Sequence, residues 1–212
     1  MKEITDFLKL LYQRRLILIA IPVITAIAAF FIVRSLPDTY IAHARMATGI
    51  ADQGERLLAD GGRTDQHSIN QEFDNLIQMI RLKKIVNQVS YQLILHDLTT
   101  ETPFRERSSE IRKLDQATLD SAILIYTQKH AGKEELSAWN KTERQLHELL
   151  VSMKYDENSL SKKLSVYRVG NSDFIDLEFT AEDPELAAFV VNTLSSEFIS
   201  YYTSRVKESN TR

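Results

Sequence analysis

The chain contains no cysteine, which excludes a disulfide framework and any thiolate chemistry, nucleophilic or metal-ligating. It lacks a basic excess too. The formal net charge is -3 with 26% charged residues, so no basic face advertises nucleic acid as a partner. No Gly-Lys-Ser/Thr closes a phosphate-cradling loop, no Gly-x-Ser-x-Gly presents a nucleophile, and no Gly-x-Gly-x-x-Gly opens a dinucleotide site. The five histidines stand at 43, 67, 96, 130 and 147, never paired at ligand spacing, and His147-Glu148 lacks the second histidine of a zinc-protease helix. Carboxylates are plentiful, but Asp and Glu on amphipathic helices are solvated faces unless a pocket gathers them. No catalytic, cofactor-binding or metal-ligating residue is therefore expected. Internal repeats of about 20–50 residues, the mark of solenoids and propellers, are missing as well.

What is present is one long apolar run. Residues 16–33, LILIAIPVITAIAAFFIV, carry no charge, and Thr25 is their only polar side chain. As a helix this run spans about 27 Å, close to the roughly 30 Å of a bilayer core, so it predicts a transmembrane helix. A cleaved signal peptide is the rival, but such cores are about 7–15 residues long and end at a small-x-small site. Here bulky Phe30-Phe31-Ile32-Val33 runs into Arg34. Lys2, Lys9, Arg14 and Arg15 precede the run, while only Arg34 and Arg45 follow closely. That asymmetry predicts a cytoplasmic 1–15, a single span, the lipid bilayer as a partner, and 38–212 on the far side.

Beyond the run, Leu36-Pro37-Asp38 stops a helix. Residues 40–48 alternate, with Tyr40, Ala42, Ala44 and Met46 on one face and His43 and Arg45 on the other, which predicts a half-buried strand. Polar, glycine-punctuated 51–67 predicts a loop. Ser68 and Gln71 form a capping box before Ile69, Phe73, Leu76, Ile80, Val86, Val89 and Leu93, whose helical spacing is interrupted at Lys83-Lys84. A further helix is expected from Ser109 to Gly132, with Ile111, Leu114, Thr118, Ala122 and Ile125 inward. The next carries Leu136, Trp139, Glu143, Leu146, Leu150 and Met153 at three- and four-residue steps.

Gly170-Asn171-Ser172-Asp173 reads as a turn between strands at 164–169 and 174–180. Asp183 is a good N-cap, Pro184 suits the first helical position, and Leu186, Val190, Leu194, Phe198 and Tyr201 follow on one face. Strands from both ends of this region, with helices between and after, predict an α+β two-layer domain.

Three stretches resemble the polysaccharide chain-length determinant (polysaccharide co-polymerase) family of bacterial inner-membrane proteins. They are the basic start, apolar helix and strand from Thr39-Tyr40; the run NLIQMI at 75–80 with IVNQV at 85–89; and IDLEFTAEDPELAAFVVN at 175–192, similar to the family's strand into an Asp-Pro-x-x-Ala-Ala helix. The resemblance implies placement in the bacterial inner membrane with the bulk of the chain periplasmic, homo-oligomerisation, and control of exported polysaccharide length together with its polymerase or export machinery. Family members continue into a helical arm and a second span, and neither lies within these residues. Phe189, Ser196 and Thr203, on the second face of the Asp-Pro helix, are the candidate oligomer contact; the alternative is that they cover the domain's own sheet. The competing function is the input domain of an extracytoplasmic sensor or receptor, which an N-terminal span and a helical domain also describe.

Overall fold

A computed structural model describes residues 15–35, 38–50 and 66–210. The expected lead-in at 1–15 (but for Arg15), the stop at Leu36-Pro37 and most of the 51–67 loop lie outside them. The chain divides into two compact units, Met1–Asp38 and Thr39–Arg212.

The first unit contributes helix α1, Arg15–Ser35, with Pro22 inside it. Thr25 uses its hydroxyl to donate to the Ile21 carbonyl at 2.7 Å. The expected transmembrane helix at 16–33 is corrected here: among the described residues no helix is long and apolar enough to cross a membrane. The single-pass inner-membrane placement, with the bulk of the chain periplasmic, rested on that helix and falls with it.

The second unit is α+β, built on a three-stranded antiparallel sheet of order β1-β3-β2. Strand β1 is Tyr40–Ala47, β2 Leu164–Arg168 and β3 Phe174–Ala181. β3 is central: Met46 pairs with Ile175, Ala44 with Leu177 and Ala42 with Phe179 on one side, while Leu164 pairs with Phe179 and Val166 with Leu177 on the other. All these residues share one face, as the two-residue strand period requires. Ile175, Leu177 and Phe179 are fully buried. Gly170, at φ +54°, takes the left-handed position of the β2–β3 turn, which its missing Cβ permits.

The opposite face is polar and cross-linked strand to strand. Arg45 grips Asp176 through two N–H···O bonds of 2.6 and 2.8 Å, and Glu178 takes both His43 and the Tyr167 hydroxyl. The Arg45 hydrogen bonds outweigh burial and hold the Asp176 carboxyl below its ordinary pKa.

Helix α8, Pro184–Asn210, covers the apolar face. Asp183 caps it, its carboxylate accepting from Leu186 N at 2.8 Å. Leu186, Val190, Val191, Leu194 and Phe198 are buried beneath it. The expected helix pair, or one kinked helix, ending near Asp97 is a pair, α2 (Gln66–Ile80) and α3 (Lys83–Thr99), broken at Arg81-Leu82. α3 lies against α8 and supports the helices Gln116–Ala131 and Glu157–Ser161, while α2 sits over β2.

Between α3 and β2 the helical insert departs from expectation in three places. The single helix from Ser109 is α4 (Ser109–Arg112) and α5 (Gln116–Ala131), because Ser108 and Asp115 each start a new helix in extended backbone. Its inward stripe is Leu119, Ala122 and Tyr126, with Thr118 exposed. Trp139, expected inward, is 99% exposed and precedes α6, Lys141–Ser152. A short helix α7, Glu157–Ser161, capped by Asp156, leads into β2.

Tyrosines tie the insert together and to α3. The Tyr126 hydroxyl donates to the Leu146 carbonyl at 2.7 Å, and the Tyr91 hydroxyl accepts from Leu136 N at 3.1 Å. Burial pushes the Tyr91 hydroxyl up to about 12.

Candidate functional site

α8 exposes two different surfaces along its length, and they separate the three candidate contact residues. Phe189 is turned into its own domain, its ring 5.2 Å from Phe104 and 5.6 Å from His96, which themselves stack at 4.0 Å. Ser196 and Thr203 are exposed. With them the structure brings together Ile199, Tyr202 and Val206, exposed by 55%, 43% and 41%. At 100° per residue, these three and Ser196 and Thr203 fall within one side of the helix. The signal was in the sequence: apolar residues at 199, 202 and 206 run beside the inward positions 198 and 201, which makes this helix apolar on two sides.

A second cluster surrounds Asp97, which is 1% exposed. Its carboxylate accepts from Phe104 N at 2.9 Å, Arg105 N at 3.2 Å and the Tyr155 hydroxyl at 2.5 Å, and lies 3.2 Å from His96 Nδ1. Arg105 lies 4.7 Å over the Tyr155 ring and donates to the Met153 and Lys154 carbonyls and to Glu182. Lys163 reaches the other Glu182 oxygen at 3.0 Å. Burial pushes the Glu182 carboxyl up, but the Arg105 and Lys163 hydrogen bonds win and bring it down to about 2. Each strong acceptor here already has its donors, so the cluster fastens the 100–108 segment, the end of α6 and the end of β3 to one another.

His43 meets Glu178, His96 stacks on Phe104, and the His130 Nδ1–H donates to Gln88 Oε1 at 2.9 Å. Burial, followed by the nearby Lys133 charge, lowers the His130 pKa. Among the described residues no group of three or more His, Asp or Glu could hold a metal ion. No family model, no curated protein and no solved structure matches this chain. Two further surface features are an exposed apolar stripe and a polar cleft, both on α8.

Proposed function

We propose that the Thr39–Arg212 unit is an assembly domain that pairs with copies of itself through the outer side of α8 and regulates the length of a polysaccharide alongside its polymerase or export machinery. One observation carries the assembly half: Ile199, Tyr202 and Val206 form an exposed apolar stripe beside Ser196 and Thr203. Apolar side chains grouped this way on one helix favour a protein partner over water, and self-complementary patches are the commonest way for a chain to find that partner in its own kind. The polysaccharide half rests on the resemblance of 39–48, 75–89 and 175–192 to the co-polymerases. The strand into the Asp183-Pro184 helix is its most specific part, and it is the β3–α8 unit of this fold.

The test introduces charge on the outer side of α8. Ser196→Glu and Thr203→Glu are expected to shift the length ladder of the polysaccharide made by cells carrying the full chain, without stopping synthesis. Ladders unchanged in these variants, with oligomers intact, remove this face from the interface. A ladder unchanged when the gene is deleted removes the function.

A further inference from the structure

We propose that the cleft between the start of α3 and the last turns of α8 is a binding site for a small hydroxylated monocarboxylate. This inference does not depend on the polysaccharide reading. The cleft encloses about 320 Å³, enough for a molecule of sugar-acid size. Its decisive group is Gln88, 2% exposed and lining the cleft. Gln88 Oε1 is held by His130, but its amide nitrogen has no hydrogen-bond partner among the described residues. A buried amide donor is costly to leave unmatched, and an oxygen acceptor bound in the cleft would satisfy it.

The charges around it set the class of ligand. Lys84, Lys133 and Arg205 line the cleft against Glu197 and Glu208, an excess of one positive charge. Glu197 is already satisfied, by Lys133 at 2.5 Å and Gln92 at 2.8 Å. Lys84 and Arg205, in contrast, have the Tyr201 ring as their neighbour, each at 6.0 Å, and no carboxylate at ion-pair distance among the described residues. Lys84 also belongs to the first turn of α3, whose N-cap Leu82 supplies no side-chain acceptor, so the helix dipole adds to its pull on an anion. Ser200, Ser204 and Glu208 on the α8 wall present hydroxyl and carboxylate partners for ligand hydroxyls. Lys133 holds its place at φ +52°, left-handed backbone that a lysine adopts only when its surroundings impose it.

The experiment is calorimetric titration of the full chain with D-gluconate, with sorbitol as its uncharged counterpart and inorganic phosphate as a simple anion. Saturable gluconate binding is expected with a Kd of about 1 mM or tighter. Sorbitol and phosphate should bind far more weakly. Lys84→Gln and Arg205→Gln should each weaken gluconate about tenfold, the loss of one charge-assisted contact. Gln88→Met should do the same; the two surface variants decide the matter if that buried change prevents folding. No saturation by about 10 mM gluconate, equal binding of sorbitol or phosphate, or unchanged affinity in both surface variants overturns the proposal.

Discussion

The two halves of α8 are made of similar residues and do opposite things. From Leu186 to Phe198 the apolar side chains, Leu186, Val190, Val191, Leu194 and Phe198, are buried against the sheet and α3. From Ile199 to Val206 the apolar side chains Ile199, Tyr202 and Val206 face outward, and Tyr201 is only half covered. Length explains the difference: the 8-residue β3 extends about 26 Å and the 27-residue α8 about 40 Å, so the helix is longer than the sheet it covers. Hydrophobicity alone does not place a residue inside; a partner surface must be within reach. In the first half that surface belongs to the same chain. In the second, the proposed partner is another copy.

Substitutions along this axis should grade from large to small effects on stability. Phe179→Ala removes a ring from the floor under the buried half and should cost about 3–5 kcal/mol in denaturant unfolding. A cost below about 1 kcal/mol would mean that the sheet and helix are not packed as described. Asp97→Ala strips the acceptor from the Tyr155 hydroxyl and from two backbone N–H groups, and about 2–4 kcal/mol should be lost by the same measurement. Glu182 acts through pH. Its folded pKa is depressed to about 2, so its contribution is present above the ordinary carboxylate pKa of about 4.3. It fades as pH falls from there towards about 2. Glu182→Gln should flatten that limb of the stability–pH curve, and an unaltered limb would show that Arg105 and Lys163 do not hold the carboxylate. At the small end, Ile199→Ser and Val206→Ser should change the unfolding of dilute protein by no more than about 0.5 kcal/mol. A larger loss would place these side chains in the domain's own core.

The sequence was legible where local signals and burial agree. In β3 a strict alternation met a turn on one side and an Asp183-Pro184 cap on the other, and strand, turn, cap and inward stripe all lie where those residues indicate. The insert was harder because capping overrode spacing. Asn140 accepts from Thr142 N at 3.0 Å and Glu143 from Ser137 N at 2.6 Å, so α6 starts at Lys141 and leaves Trp139 in the preceding loop. At Asp115 extended backbone, without a side-chain cap, cuts one periodic stretch into two helices, and the inward stripe is Leu119, Ala122 and Tyr126. At 16–33 the composition points to a span, whereas among the described residues no helix is long and apolar enough to cross a membrane. Asp97 was invisible for another reason: its partners are up to 58 residues away in sequence. Of the proposed contact, Ser196 and Thr203 lie where helical spacing puts them, whereas Phe189 is drawn inward by Phe104 and His96, which no local pattern announces.

Whether copies meet at the outer half of α8 can be tested directly because the chain has no cysteine. Thr203→Cys in the full chain supplies a single thiol on that face, and Ala117→Cys supplies one on exposed α5 as the control. A thiol–thiol linker of about 10 Å matches the interaxial distance of packed helices. Pairing through this face predicts cross-linked dimers from Thr203→Cys and their loss when Tyr202→Glu is added, with monomer from Ala117→Cys throughout. Monomer from Thr203→Cys, or equal dimer from both positions, would contradict it.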